Sequence, residues 1–350
     1  MTKNILSMVR ENIRSLKPYS SARHEFKGKA SIFLDANENP FGSPIGEFNR
    51  YPDPLQWQLK FELARIKGVP AENIFIGNGS DEVIDLVYRI FCDPSKDNVI
   101  VCPPTYGMYE VSGHINDVAV KKIKLTKDYQ LNTAQILEAA DENTKLLFIC
   151  SPNNPTGNSM KRADILELLQ KFNGIVVIDE AYINYSQEKT FIAELLNFSN
   201  LIVMQTLSKA WGLAALRLGI CFASLDIIDL FNKVKPPYNI NQSSQELGLK
   251  ALQNVNLVND WIKTSIRERE LLKNELLRFS FVVRVNESDA NFLLVKCEDA
   301  DSLYNYLTAQ EIVVRNRSKE PGCENCLRIT VGTAEDNQTL IKILNQYDGK

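Results

Sequence analysis

The chain has 350 residues, 44% of them hydrophobic and 24% charged, with a formal net charge of -3 and a pI near 5.7. That length allows one large core plus a smaller one, so two domains are expected. Lysines and arginines are dispersed without a basic excess, which argues against nucleic acid and leaves small molecules as the expected partners.

The first residues, MTKNILSMVRENIRSL, place Leu6, Val9, Ile13 and Leu16 at helical spacing, broken by Arg10, Glu11 and Arg14. This is not the core of a signal peptide, and no stretch elsewhere nears membrane-spanning length, so a soluble, cytoplasmic protein is expected. Seven cysteines, mostly inside apolar runs, fit buried thiols in a reducing compartment. From about residue 74 to 223 short apolar runs recur: NIFIG, NVIVC, KLLFICS, GIVVIDE, NLIVMQT and LGICFA. Amphipathic segments such as 81–92 and 161–172 lie between them, the alternation of a mainly parallel sheet with helices on both faces. Lys235, Pro236 and Pro237 stop this pattern, and 242–279 reads as a long, charged, largely helical connector. Strands are then expected at 281–285, 291–297, 311–317 and 326–332, around a helix over 299–309.

The expected fold class is α/β, with a three-layer α/β/α large domain and a smaller α+β domain. Residues 1–40 would form an N-terminal arm and part of the small domain, 41–240 the large domain, and 241–350 the connector helix and the rest of the small domain. Cys323 and Cys326 form a CxxC, but with no second pair and no nearby histidine they read as a turn before a strand rather than a zinc site. No metal is expected.

In sheets of this kind ligands gather beyond the carboxyl ends of the strands, and four loops there carry polar signatures. In IGNGSDEVIDLVYRIF (76–91) two glycines permit a tight turn, and Ser80 opens a helix with Asp81 and Glu82 in its first turn. Free N–H groups at that helix start suit a phosphate, although the segment alone also reads as an ordinary capped helix. SPNNPTG (151–157) follows a buried strand, and its prolines and Gly157 fix a turn that holds Asn154. GIVVIDEAYINY (174–185) ends a buried strand in Asp179, a costly carboxylate unless a cation such as a protonated ring nitrogen pairs with it. Tyr182 could then place its hydroxyl on the same ring's oxygen, while Glu180 is expected to face a helix N-terminus or solvent; alone, the segment reads equally as a strand-end Asp capping a helix.

TLSKAWGLAALRLG (206–219) sets Lys209 between small hydroxylated neighbours, with Arg217 eight residues on. A nucleophilic lysine must be desolvated or held near positive charge, which Arg217 and a phosphate bound by Thr206 and Ser208 would arrange. Tyr106, in PPTYGMY, adds an aromatic to stack on the ring. An aldehyde-seeking amine, a phosphate site, an acid for a pyridinium nitrogen, and Asn and Tyr for a phenolate together describe pyridoxal 5'-phosphate (PLP). Nucleotide binding is opposed by the lack of a GxGxxG after the first strand and of a GxxxxGK[ST] loop.

LKPYSSARHE (16–25), LDANENPFG (34–42), RYPDP (50–54), GNGSDE, PPTYGMYE, SPNNPTG, DEAY, TLSKAWGLAALRLG, VVRNRS (313–318) and LRITVGT (327–333) occur in this order. Along nearly its whole length the chain thus resembles the fold-type I, PLP-dependent aminotransferases, and among them the branch acting on histidinol phosphate. The resemblance implies that Lys209 bonds the cofactor aldehyde and, once displaced by substrate, shuttles a proton between substrate Cα and the cofactor. It assigns Asp179 to the pyridinium, Asn154 and Tyr182 to the ring oxygen and Tyr106 to the ring face. The phosphate falls to the backbone at Ser80 and Asp81 and to Thr206, Ser208 and Arg217. A homodimer is implied, in which Tyr51 reaches the cofactor phosphate of the neighbouring subunit. Tyr19, Asn37, Arg315 and Arg328 are the implied substrate-side residues, Arg328 serving both a carboxylate and a phosphate.

The reaction so implied is ping-pong amino transfer in L-histidine biosynthesis. It converts L-histidinol phosphate and 2-oxoglutarate to imidazole acetol phosphate and L-glutamate. An aromatic amino-acid aminotransferase and a phospho-amino-acid decarboxylase are the alternatives on the same scaffold. A non-catalytic PLP-binding module is opposed by the presence of Lys209, Asp179, Asn154 and Tyr182. Two departures from the family pattern are the cysteine-bearing link NRSKEPGCENC and His24, where the family carries an arginine.

Overall fold

A computed structural model describes residues 3–19, 28 and 31–347. Strands β1 (Ile74–Asn78), β2 (Asn98–Val101), β3 (Ala119–Lys122), β4 (Thr144–Cys150), β5 (Ile175–Asp179), β6 (Leu201–Thr206) and β7 (Leu218–Ala223) form one sheet in the order β1-β7-β6-β5-β4-β2-β3. Within it β7 runs antiparallel to both neighbours, whereas the pairs among β2 to β6 are parallel. That reversal puts the amino end of β7 beside the carboxyl ends of β1 and β6, with Leu218 opposite Asn78 and Gly219 opposite Thr206. β3 has no apolar run; it is a sheet edge whose AVKK side chains stay partly exposed.

Helices α1 (Glu11–Arg14), α2 (Trp57–Lys67), α3 (Ser80–Phe91), α4 (Met108–Ile115), α5 (Thr133–Ala139), α6 (Arg162–Lys171) and α7 (Leu225–Val234) accompany this sheet. Successive strand residues point to opposite faces, and each face has its own core. Ile76, Leu147, Val176 and Val203 pack with Leu59 and Leu63 of α2 and Leu168 of α6. Phe75, Phe148, Val177 and Met204 pack with Val83 and Val87 of α3 and Phe231 of α7. Covering both faces is what lets the strands be apolar along their whole length.

The N-terminal segment departs from expectation in two ways. It is not one continuous helix: a 3-10 turn (Ile5–Met8) precedes α1, so Ile5, Val9 and Ile13 are the buried set, while Leu6 and Leu16 are 49% and 41% exposed. Nor does it join the smaller sheet. It packs in the second core of the large one, with the Arg10 N–H donating to Ile90 O at 3.1 Å.

The connector is two helices, α8 (Gln242–Leu252) and α9 (Val255–Leu276). Beyond it β8 (Val282–Val285), β9 (Phe292–Cys297), β10 (Arg315–Asn316) and β11 (Cys326–Thr330) form an antiparallel sheet in the order β10-β11-β9-β8, with α10 (Ala300–Ala309) and α11 (Ala334–Leu344). Leu293, Val295, Leu327 and Ile329 make its core with Leu272, Leu303 and Leu340. The strand expected over 311–317 shrinks to two residues. β10 is an edge, and the apolar residues before it are not all buried, Val313 being 78% exposed. Cys323 and Cys326 are buried free thiols in a turn closed by Cys326 N–H to Cys323 O at 3.0 Å. No group of three or more potential metal ligands occurs among the described residues. No helix among them is long and apolar enough to cross a membrane.

The two sheets touch where the 151–157 loop meets the turn before β9. Asp289 N–H donates to Gly157 O at 2.7 Å, and a Cβ on Gly157, whose φ is +87°, would meet Ser288 Oγ at 2.6 Å. Only glycine fits there.

Candidate active site

Because β7 is reversed, the exits of β1, β2, β4, β5 and β6 and the entry to β7 all converge at one edge of the large sheet. They enclose a cavity of about 430 Å³ lined by Ser80, Asp81, Tyr106, Asn154, Asp179, Tyr182, Thr206, Ser208, Lys209 and Arg217, with Arg315 and Arg328 entering from the smaller sheet. Twelve residues singled out from sequence thus share one space.

Two glycines shape one wall. Gly79, at φ +77°, precedes α3, and its N–H donates to Arg217 O at 2.6 Å. Across from it, a Cβ on Gly219 would lie 2.3 Å from Gly79 C and 2.4 Å from Ser80 N. The turn can therefore pass directly over β7, leaving the first N–H groups of α3 at the cavity. Arg217 lies beside them, its Nη2 donating to Asp81 Oδ2 at 3.0 Å, and Tyr106 OH donates to Asp81 Oδ1 at 3.2 Å. Thr206 Oγ1 accepts from Ser208 N–H at 3.1 Å.

At the floor, Asp179 is 4% exposed and has no ion pair among the described residues. Burial pushes its pKa up, against the pull of Tyr109 OH, which donates to Oδ2 at 2.7 Å, and of Ala181 N–H, which donates to Oδ1 at 3.0 Å. Tyr109 was not singled out from sequence. Its only signal is its position three residues after Tyr106, since its acceptor lies seventy residues further on. Tyr109 stacks on Phe148 at 4.8 Å and meets Tyr106 edge-on at 5.5 Å. Glu180 is buried rather than solvent-facing. Its Oε1 accepts from Phe191 N–H, at the start of a 3-10 turn, at 2.6 Å, and its Oε2 accepts from Gln205 at 2.9 Å.

Lys209 faces the cavity with Nζ 5.9 Å from the Tyr182 ring centroid. Its pKa lies below the usual lysine value, first through burial and then through the Arg328 and Arg217 charges, with Asp179 opposing them. Burial likewise raises the Tyr182 pKa and keeps the phenol protonated. Asn154 Oδ1 accepts from Arg328 Nη1 at 2.6 Å, so the substrate-side arginine and the 151–157 loop are directly bonded.

Arg317 also lines the cavity and was missed in the sequence, where the RNR alternation of 315–317 is its signal. With it, five cationic side chains line the space against the carboxylates of Asp81 and Asp179, an excess suited to an anionic ligand. Tyr51 and Asn37 are not brought here within one chain. They line a separate cavity in which Tyr51 stacks on Tyr238 at 4.5 Å. Tyr19 is 75% exposed and not part of the cavity wall, and His24 falls outside the described residues.

The chain matches the family described as aminotransferase class I and II over residues 35–344, and it belongs to that family. A histidinol-phosphate aminotransferase of Bacteroides thetaiotaomicron is 50% identical to it over 99% of this chain and 100% of the relative. Among solved structures, the histidinol-phosphate aminotransferase of Clostridium acetobutylicum superposes with a TM-score of 0.79 at 22% identity, covering 89% of this chain and 97% of that one. The enzyme of the same name from Sinorhizobium meliloti, in complex with pyridoxal-5'-phosphate, gives 0.78 at 22% identity over 89% and 90%. At such identity the structures show a shared fold.

Proposed function

We propose that the chain transfers the amino group of L-histidinol phosphate to 2-oxoglutarate, yielding imidazole acetol phosphate and L-glutamate, with PLP as cofactor. The observation that carries this reading is the buried carboxylate of Asp179, with no ion pair among the described residues, across one cavity from a lysine of lowered pKa, in a chain half identical to a histidinol-phosphate aminotransferase along its length.

The residues present fit PLP. Asp179 has no ion pair among the described residues, a place that a protonated ring nitrogen would take, and Gly79 and Gly219 clear a cradle that side chains would fill. In this reading Asp179 would hold the pyridinium, Asn154 and Tyr182 the ring oxygen, and Tyr106 the ring face. The start of α3 at Ser80 and Asp81, with Thr206, Ser208 and Arg217, would hold the phosphate, joined by Tyr51 of the partner subunit in a homodimer. When bound, the cofactor supplies an aldehyde carbon and an electron-accepting ring.

The protein's own part is positioning and proton handling. The lowered pKa of Lys209 makes Nζ lose its proton more readily than an exposed lysine would, which suits it to bond an aldehyde carbon and to carry a proton to and from the substrate Cα. Tyr109 and the Ala181 N–H keep the Asp179 carboxylate ionised against its burial. Arg328, bonded to Asn154 and with Cζ 5.2 Å from the Phe292 ring centroid, offers a fixed guanidinium to the anionic group of either substrate. The enzyme is placed in the cytoplasm by the same reading.

Steady-state assays of the holoenzyme with L-histidinol phosphate, L-phenylalanine and threonine phosphate test this. The expected outcome is the highest kcat/KM for histidinol phosphate, with amino transfer rather than loss of carbon dioxide. Better turnover of phenylalanine would overturn the substrate, and decarboxylation of threonine phosphate would overturn the reaction class.

A further inference from the structure

The small sheet presents a cluster of like charges that its own strands do nothing to neutralise. In the β10–β11 ladder Arg315 stands directly opposite Arg328. The chain continues extended for one more residue, with Arg317 N–H donating to Cys326 O at 2.8 Å. Residues two apart on an extended strand share a face, so Arg317 sits on the face of Arg315 and is a diagonal neighbour of Arg328. Like charges opposite one another on neighbouring strands are destabilising, and three guanidiniums at one end of a cavity are retained only if something anionic relieves them.

What relieves them within the chain is slight. The Arg315 side chain has no hydrogen bond or ion pair among the described residues, and that of Arg328 has the neutral Asn154 Oδ1 at 2.6 Å. Arg317 has a single carboxylate, Glu320, with Nη1 to Oε1 at 3.4 Å, long for a charged pair. The Nε atoms of both Arg317 and Arg328 are buried with no partner among the described residues. The Arg317 side chain is only 19% exposed, so its guanidinium is held at the cavity wall rather than spread into solvent. Its charge is also felt at Arg328, where burial comes first and Arg317 next in lowering the pKa.

A monocarboxylate offers two oxygens and one negative charge, which one bidentate arginine satisfies. A phosphomonoester offers three oxygens and a charge approaching two, which draws on more than one fork. We infer that Arg317 is a specificity-determining residue that adds a further, wall-held fork beside those of Arg315 and Arg328, so that the outer end of the cavity selects a dianionic phosphomonoester over a carboxylate or an uncharged group. This deepens the proposed function and rests on it for the identity of the donor. Arg328 serves both substrates, whereas Arg317 acts chiefly on the phosphorylated one, and Glu320 holds Arg317 when that substrate is away.

The test uses the holoenzyme and its Arg317→Met and Arg317→Lys variants, with phenyl phosphate and phenylacetate as probes in calorimetric titrations. Arg317→Met should weaken phenyl phosphate roughly 10- to 100-fold and phenylacetate less than about threefold, with Arg317→Lys in between. In turnover, the ratio of kcat/KM for histidinol phosphate over unphosphorylated histidinol should fall about tenfold or more in Arg317→Met. Equal losses for both probes, or no loss for phenyl phosphate, overturn the assignment. If Arg317→Met does not fold, Arg317→Lys decides, since its retained charge without a planar fork should still cost phenyl phosphate selectively. A parent enzyme that binds phenyl phosphate through Arg317 yet does not turn over histidinol phosphate would leave this assignment standing and remove the proposed donor.

Discussion

Asp179 and Lys209 are pushed towards neutrality by the same cause. Burial raises the carboxyl pKa and lowers that of the amine. Neither group gains from this until a ligand arrives that can be cationic beside one and electrophilic beside the other. Tyr109 then becomes the residue to test, since its hydroxyl donates to Asp179 from the side away from the chain's own Ala181 N–H. Tyr109→Phe removes a donor to the ionised form, so the carboxyl pKa rises further; the acid limb of the kcat–pH profile should move to higher pH and kcat should fall roughly 10-fold. An unmoved acid limb would show that Tyr109 is merely packed against Phe148. Asp179, Lys209 and Asn154 were legible in the sequence because each is announced by the strand or turn it terminates. Tyr109 and Arg317 were not, because what gives them meaning is a partner brought in by tertiary pairing: Asp179 for one, and the face of β11 for the other.

At the scale of elements, the wall beneath Ser80 depends on the close passage of two backbones. Gly219→Ala would drive a methyl into Gly79 and Ser80 backbone, contacts that no side-chain rotation relieves. The expected cost is about 1–3 kcal/mol of stability, read by denaturant unfolding, together with weakened PLP retention in dialysis. Full retention of PLP would mean that this turn does not hold the phosphate. The glycines of GNGS were visible as a turn in the sequence, but Gly219, inside an apolar strand, was not, because its crowding comes from another strand. The same limit explains the other misreadings of elements. AVKK lacks the apolar run that marks a buried strand, since β3 covers an edge, whereas the apolar residues before Arg315 suggested a longer strand than an edge position supports. The central strands were read correctly because burial on both faces writes itself into every residue.

Across the whole molecule, stability also carries a buried cost at a residue that does not line the cavity. Lys60 is 2% exposed, its Nζ lies 5.3 Å from the Trp57 ring centroid, and no ion pair to it occurs among the described residues. Burial first, and then the charge of Lys235, lower its pKa from 10.5 to about 8. Between those values the unfolded chain keeps a proton that the folded chain has released, so this group makes stability rise with pH across that window. Below about pH 8 both states are protonated and the folded state bears the full cost. Lys60→Met should therefore stabilise the protein by about 1–3 kcal/mol at pH 7, with the gain fading towards pH 10.5, as followed by denaturant midpoints at several pH values. A gain independent of pH would trace to packing instead. The reversed strand β7 carries a different consequence, one for the chain's history. Thr206 is paired with Gly219, and Leu213 N–H and Gly212 N–H bond back to Leu207 O and Lys209 O, so the segment between Lys209 and Arg217 is a closed span of fixed length. Surface connections ordinarily absorb inserted or deleted residues without harm. This one cannot, for a single added residue would change the spacing of the amine from its neighbouring guanidinium while leaving the sheet intact, and gaps in an alignment of such chains should avoid it.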